Sequence, residues 1–215
     1  MTNNDLALLG VLVDHSGSMR DCREDMEGGL NTLLDEQRKQ KGQCEITLAE
    51  FDDEYDLVWK IQSIDQVGKY TLRPRGMTRF LDAMGKFITY VGEELRSRSE
   101  SQRPGKVIIV VVTDGKENDS REWKLDQVKK LIDEQQTQWS WEFLFLGADI
   151  DAVGEAGKIG IKTGSSLKFD KRNRNAVYAA SGLVSNMVSD YRESGILRSY
   201  TDKDRESAMG GKAES

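Results

Sequence analysis

The sequence predicts an α/β fold, an open and mostly parallel β-sheet with helices on both of its faces. Three runs, residues 6–13, 107–112 and 143–146, are apolar at almost every position, as expected for parallel strands covered on both sides. Each run is followed by a polar turn that contains glycine, and then by a helical segment. This alternation of strand and helix is typical of parallel strands joined by crossover helices.

Apolar residues at helical spacing predict four helices. They lie at residues 22–40, in a segment that begins after Thr78, at residues 121–137 and at residues 172–191. For the third helix, Asp119 or Ser120 is the expected N-terminal cap, and Leu125 is among the residues expected to face the core.

Between the first two helices, two β-rich segments predict a hairpin. Residues 44–48 alternate between apolar and polar, residues 55–61 are rich in strand-forming types, and a short acidic segment connects them. One strand should therefore run antiparallel, at the edge of the sheet. The acidic residues 50–56 are interpreted as a solvated turn, with a calcium site as the alternative.

Length and composition indicate a single globular domain, expected at residues 1–200. The chain has 215 residues, of which 37% are hydrophobic, and the polar residues 201–215 are expected to form a flexible tail. Cys22 and Cys44 have neither zinc-site spacing nor the density of a disulfide scaffold, so both are expected to be buried thiols.

Charge and hydropathy argue against two classes of partner. The net charge of −6, with no basic stripe along the chain, disfavours nucleic acid. No apolar stretch approaches the roughly 20 residues that span a bilayer, so no membrane association is expected. A cytoplasmic location follows as the expectation.

Oxygen-bearing side chains follow two predicted strands and precede one predicted helix. The first strand ends in Asp14-His15-Ser16-Gly17-Ser18, the central strand ends before Asp114, and Thr78 opens the second helix. Because the carboxyl ends of parallel strands meet at one edge of a sheet, these side chains should converge there. Carboxylates and hydroxyls suit Mg²⁺, with Mn²⁺ or Ca²⁺ as alternatives, and include no soft ligand that would favour zinc.

The order Asp14-x-Ser16-x-Ser18, then Thr78, then Asp114-Gly115 resembles the metal-ion-dependent adhesion site, or MIDAS, of von Willebrand factor type A (vWA) domains. The resemblance extends over residues 6–190 and implies the three-layer, Rossmann-like vWA fold. It is strongest to stand-alone bacterial and phage vWA proteins, including those grouped with tellurite resistance and those that work beside AAA+ ATPases.

The resemblance implies how a metal would be held. Ser16, Ser18 and Thr78 would coordinate through their hydroxyls, and Asp14 and Asp114 would coordinate directly or through water. Neutral hydroxyls leave much of the ion's charge uncompensated, so the remaining position should attract an Asp or Glu from a partner protein.

The expected function is therefore metal-dependent protein recognition without turnover, with an AAA+ ATPase as a candidate partner. Two alternatives remain open: a Mg²⁺-dependent phosphate-ester hydrolase, and a module in which the metal only fixes loops. Rim residues that could contact a partner or line the metal face are Arg73, Arg75, Glu117, Asn118, Asp149 and Asp151.

Two further features are interpreted as structural. His15 is the only histidine and lies between predicted ligands, so its side chain should point away from the metal, into solvent or packing. Residues 154–160 resemble a phosphate-binding loop but lack the required glycine and hydroxyl positions, which favours a helix terminus and turn.

Overall fold

The computed structural model describes residues 1–115, 119–148 and 150–211. Its strands are β1 (Asn3–Asp14), β2 (Gln43–Phe51), β3 (Tyr55–Ser63), β4 (Pro104–Thr113), β5 (Glu142–Ala148) and β6 (Ser166–Phe169). Its α-helices are α1 (Arg23–Lys39), α2 (Phe80–Ser97), α3 (Leu125–Trp139), α4 (Ala152–Lys158), α5 (Arg174–Ser194) and α6 (Asp202–Ala208).

The strands form one sheet in the order β3-β2-β1-β4-β5-β6. Within it, β2 and β3 pair antiparallel and the other neighbours pair parallel, which confirms the predicted fold class and the antiparallel edge strand. The chain passes from β1 to β2 on one side and returns to β4 on the other. The order in which strands are added to the sheet therefore reverses between β1 and β4. In open α/β sheets, ligands bind at such a point.

Alternation along β1 divides the core into two layers. Leu9, Val11 and Val13 contribute to a cluster that includes residues of α1 and α5, whereas Leu8 and Leu12 contribute to a cluster with α2 and α3. All five side chains are buried, because helices cover both faces of the sheet.

The structure differs from the sequence prediction around α3. The helix begins at Leu125, and Lys124 occupies the N-cap position, so neither Asp119 nor Ser120 caps it. Leu125 is 38% exposed and does not face the core as expected. Strand β6 and the short helix α4 were not predicted as separate elements. Residues 154–160 belong mainly to α4, followed by a turn at Gly160.

The segment predicted as a flexible tail contains helix α6. The hydroxyl of Thr201 accepts a hydrogen bond from the backbone N–H of Asp204 (3.1 Å), and Ala208 is fully buried. Arg205 also donates to the backbone oxygen of Ser166 in β6 (2.8 Å). Residues 202–208 therefore form a helix that the sequence did not predict, because capping and contacts with β6 stabilise it without apolar periodicity. Residues 212–215 lie outside the described residues.

Two compositional expectations can be compared with the structure. Cys22 and Cys44 are free and buried, which confirms their interpretation as buried thiols. Among the residues that the structure describes, no helix is both long and apolar enough to cross a membrane.

Candidate metal centre

The candidate site lies where β1 and β4 end side by side. Val13 is paired with Val112, so Asp14 at the end of β1 and Asp114 just after β4 reach the same edge of the sheet. Asp14 is completely buried and Asp114 is 7% exposed. The sheet thus brings the two predicted carboxylates together.

Asp14 accepts hydrogen bonds from both sides. Its Oδ1 accepts from the backbone N–H of Ser16 (2.8 Å), and its Oδ2 accepts from the hydroxyl of Thr113 (2.6 Å). Burial raises the pKa of this carboxyl against the opposing effect of these hydrogen bonds, and the charge of Asp114 raises it further. Among the described residues, no basic side chain forms an ion pair with Asp14.

The two serines connect Asp14 to Asp114. The hydroxyls of Ser16 and Ser18 lie 3.1 Å apart, and Ser18 donates to Oδ1 of Asp114 (2.7 Å). Ser16 is buried and Ser18 is exposed, so the cluster opens to solvent at Ser18. The other oxygen of Asp114, Oδ2, lies 2.7 Å from Nζ of Lys171.

Thr78 is the fifth predicted ligand and is 3% exposed. A Cβ atom added to Gly115 would lie 2.9 Å from the Thr78 hydroxyl oxygen and 3.5 Å from Oδ2 of Asp14. Thr78 and Asp14 therefore both lie against the backbone of Gly115, directly after Asp114. The structure brings all five predicted residues into one cluster at the sheet edge.

Backbone hydrogen bonds hold the loop that carries Thr78. The N–H of Gly17 donates to the oxygen of Gly76 (3.2 Å), and the N–H of Arg75 donates to the oxygen of His15 (2.7 Å). Gly76 has a φ of +67°, and an added Cβ would lie 2.8 Å from Oδ2 of Asp52. Only glycine fits this close approach in the left-handed region, so the loop conformation depends on it.

His15 is buried among acidic residues. Its Nδ1 lies 3.1 Å from Glu50 and its Nε2 lies 2.9 Å from Asp52. Burial lowers the pKa of this imidazole, but the contact with Glu50 and the charges of both carboxylates outweigh burial and raise it overall. His15 is therefore packed inside the protein, as one of the two expected alternatives, but its neighbours are two carboxylates distant in sequence, which the sequence did not predict.

Acidic side chains of residues 50–56 form ion pairs with Arg75. Arg75 reaches Asp52, Glu54 and Asp56 at 2.9, 2.8 and 2.9 Å. The segment is the predicted hairpin turn, and Asp53, Glu54 and Asp56 are exposed, but Asp52 is only 1% exposed. The segment also braces the loop that leads to Thr78.

The predicted rim residues have different surroundings. Arg75 is engaged with the acidic turn, and Asp151 caps α4 by accepting from the N–H of Gly154 (3.0 Å). Arg73 is exposed and lines a surface groove of about 600 Å³ together with Arg20 and Arg174. The remaining three, Glu117, Asn118 and Asp149, lie outside the described residues.

Two residues of the site were not identified as site residues from the sequence. Thr113 belongs to the end of β4, and its position next to Asp114 is the signal that could have found it. Lys171 follows β6, a strand too short to predict from its pattern, so nothing local placed it at this edge.

The donor set fits a hard divalent ion. Carboxylate and hydroxyl oxygens are the ligands that such ions prefer, and the buried Asp14 has no ionic partner among the described residues. Within the same residues, no group of three or more His, Cys, Asp and Glu side chains could hold a metal. A metal here would therefore depend on the hydroxyls as well as the two carboxylates.

Comparison with protein families identifies the family of this chain. The profile of the von Willebrand factor type A domain matches residues 9–177, and the chain belongs to this family. No curated protein sequence matches the chain significantly.

Several solved structures share the fold at low sequence identity. Proximal thread matrix protein 1 from the mussel byssus has a TM-score of 0.61 and 16% identity, over 86% of this chain and 46% of its own. The open form of the pilus adhesin SpaC from Lactobacillus rhamnosus GG has a TM-score of 0.66 and 13% identity, over 86% of this chain and 30% of its own. The chain thus spans half or less of these proteins.

A second structure of the mussel protein has zinc in its MIDAS motif. It has a TM-score of 0.59 and 17% identity, over 85% of this chain and 48% of its own.

Proposed function

We propose that this chain is a protein-recognition module whose bound divalent ion accepts an acidic side chain of a partner. Asp14, Ser16, Ser18, Thr78 and Asp114 would hold the ion. The observation that carries the proposal is the buried Asp14 carboxylate, which has hydroxyls beside it and no ionic partner among the described residues. A buried anion of this kind is stabilised by a cation.

The proposed ion is Mg²⁺, with Mn²⁺ or Ca²⁺ as alternatives. Its role would be to attract a carboxylate, because three of the five proposed ligands are neutral hydroxyls that leave positive charge uncompensated. The protein's own contribution is to orient these oxygens at a rigid sheet edge that opens at Ser18. The zinc found in the mussel protein makes zinc a metal to test here.

The proposed partner is a protein with an exposed Asp or Glu. The resemblance to vWA proteins that work beside AAA+ ATPases makes such an ATPase, in a stress or defence system, the first candidate. A cytoplasmic setting is also proposed, and the two free thiols support it because a reducing compartment keeps thiols unpaired.

The proposal involves no turnover. A hydrolase of the Ser-His-Asp type would need a histidine with one ring nitrogen on a serine hydroxyl, whereas the two ring nitrogens of His15 face Glu50 and Asp52. A metal-dependent hydrolase would instead release phosphate from a phosphate ester in the presence of Mg²⁺, and that assay separates the two functions.

The first test is binding of the metal and of the partner by Asp14→Ala and Thr78→Ala. We expect calorimetric titration with Mg²⁺, Mn²⁺, Ca²⁺ and Zn²⁺ to show one site in the wild type and none in Asp14→Ala. Capture of the candidate ATPase should require the metal and be lost in both variants. Asp133→Ala is the matched control, because it removes a carboxylate from an exposed position on α3.

Equal metal binding by the wild type and Asp14→Ala would contradict the proposed site. Metal binding without any metal-dependent partner would favour the structural role of the ion. In that case, chelation should lower the melting temperature of the wild type and change little else.

A further inference from the structure

Lys171 places a positive charge inside the candidate metal centre. It follows the edge strand β6 and precedes α5, and its Nζ lies 2.7 Å from Oδ2 of Asp114 and 3.3 Å from the backbone oxygen of Ser18. The Lys171 side chain is 13% exposed and that of Asp114 is 0% exposed. This ion pair is therefore largely shielded from water. Water weakens exposed ion pairs, so the pair of Lys171 and Asp114 should be stronger than a pair on the surface.

We infer that Lys171 is a tethered cation that neutralises the centre before a metal binds and lowers the centre's affinity for the metal. The inference rests on the proposed function, because it requires a divalent ion near Asp14 and Asp114. It concerns the regulation of that site by a residue outside the five proposed ligands.

Without a metal, the centre contains two buried carboxylates and one ammonium group. Asp14 and Asp114 are both buried and are linked through the hydrogen bonds of Ser16 and Ser18, so their charges lie in one small cluster. Two like charges in a buried site are costly unless a cation compensates them. Lys171 compensates one of them through Asp114, so it stabilises the metal-free protein.

The same ammonium group would also act on an incoming metal ion. A divalent cation bound beside Asp114 would lie near the Lys171 ammonium, and the repulsion between them is strong where water is excluded. The ammonium that stabilises the metal-free centre would therefore oppose the metal-bound centre.

Lys171 also affects how the two oxygens of Asp114 could reach a metal. Oδ1 accepts from Ser18 and Oδ2 contacts Lys171, so both are engaged. Direct coordination through Oδ2 would require Lys171 to move away. Without that movement, Asp114 would act by orienting the Ser18 hydroxyl. In both arrangements, removal of the ammonium should strengthen metal binding.

The experiment titrates the full chain with Mn²⁺ and follows the free ion by electron paramagnetic resonance. Lys171→Gln removes the charge and keeps a hydrogen-bond donor, whereas Lys171→Arg keeps the charge. Lys130→Gln is the matched control, because it removes the same charge from an exposed position on α3.

We expect Lys171→Gln to bind Mn²⁺ at least about tenfold more tightly than the wild type, equivalent to about 1.4 kcal/mol. Lys171→Arg and Lys130→Gln should stay within about threefold of the wild type. In EDTA, the melting temperature of Lys171→Gln should fall by roughly 2–4 °C. Saturating Mn²⁺ should then raise it by more than it raises that of the wild type.

Several results would overturn the inference. Equal or weaker Mn²⁺ binding by Lys171→Gln would show that Lys171 only anchors the loop between β6 and α5. Lys171→Met is a second neutral variant, and failure of both neutral variants to fold even with Mn²⁺ would assign Lys171 to the fold alone. Equal Mn²⁺ binding by the wild type and Asp14→Ala would instead refute the proposed function itself.

Discussion

Two buried aspartates outside the proposed ligand set, Asp52 and Asp82, brace the loop that carries Thr78 and the helix that follows it. Asp52 lies in the turn after β2 and contacts His15 and Arg75 through Oδ2, at 2.9 Å in both cases. Asp82 lies in the first turn of α2, and its two oxygens accept backbone hydrogen bonds from the N–H groups of residues 121, 122 and 123, at 2.9, 2.8 and 2.7 Å.

Asp52 and Asp82 differ in the groups that donate hydrogen bonds to them. Asp52 is held by the charged side chain of Arg75 and by His15, so it connects the loop after β1 to the loop before α2. Asp82 is held by backbone groups, which connect α2 to the segment that follows Asp114. Backbone donors of an ordered loop lose little further conformational freedom, whereas fixing a long side chain such as that of Arg75 costs entropy.

Both aspartates connect segments that are distant in sequence and that contribute to the candidate metal centre. The centre is built from the loop after β1, the loop before α2 and the segment after β4. Asp52 connects the first two of these, and Asp82 connects the third to α2. The hydroxyl of Ser120 adds to this by accepting from the N–H of Asp82 (3.1 Å). The loops that contain the five proposed ligands are therefore held in place by charged residues that are not ligands themselves.

The largest effect is expected for Asp52→Ala. The substitution removes a contact of His15 and Arg75 and the acceptor of the Glu54 N–H (2.7 Å), and it leaves polar groups buried without that partner. We expect a loss of about 3 kcal/mol in the free energy of unfolding, measured by urea denaturation in EDTA. Asp133→Ala, which removes a carboxylate from an exposed position on α3, is the control. Equal losses in the two variants would refute the bracing role of Asp52.

A smaller effect is expected for Asp82→Asn. Asn offers one acceptor oxygen and would turn its amide group toward a backbone N–H, so we expect a loss of about 2 kcal/mol in the free energy of unfolding at neutral pH. Asp126→Asn, at an exposed position in the first turn of α3, is the control. A loss no larger than that of the control would show that the three hydrogen bonds contribute little.

The difference in stability between the wild type and Asp82→Asn should depend on pH. Burial raises the pKa of Asp82, but the backbone hydrogen bonds outweigh burial and the pKa lies below its ordinary value. The stabilisation is therefore complete above the pKa of the unfolded state, about 3.9, and is lost as the pH falls through the folded pKa. The stability gap between wild type and Asp82→Asn should narrow over that acidic range, and a constant gap would contradict the charged state of Asp82.

The sequence predicted the parts of the fold that depend on local pattern. The apolar run at residues 6–13 predicted β1 because a strand covered on both faces must be apolar on both, and Asp14 followed from where that strand ends. The convergence with Asp114 also followed, because parallel strands end at one edge. The four residues of β6 are too few to show such a pattern.

Contacts between distant loops could not be predicted in this way. His15 is separated from Asp52 by 37 positions, Asp114 from Lys171 by 57, and Asp82 from residue 122 by 40. Nothing in the periodicity around any of these residues specifies its partner. The folded arrangement of several loops decides which charge meets which, so Lys171 and the surroundings of His15 became visible only in the structure.

The smallest effect is expected for the surface ion pair between Lys86 and Glu122, which joins the same two segments as Asp82. Its atoms are 2.7 Å apart, but the side chains are 37% and 60% exposed. Water and salt screen such a pair, so a double-mutant cycle with Lys86→Ala and Glu122→Ala should give a coupling of at most about 0.5 kcal/mol. That coupling should vanish near 1 M salt, whereas the loss in Asp82→Asn should persist because the Asp82 carboxylate is buried and binds backbone N–H groups. A coupling as large as the loss in Asp82→Asn would show that exposed charge, and not backbone hydrogen bonding, fastens the segment after β4 to α2.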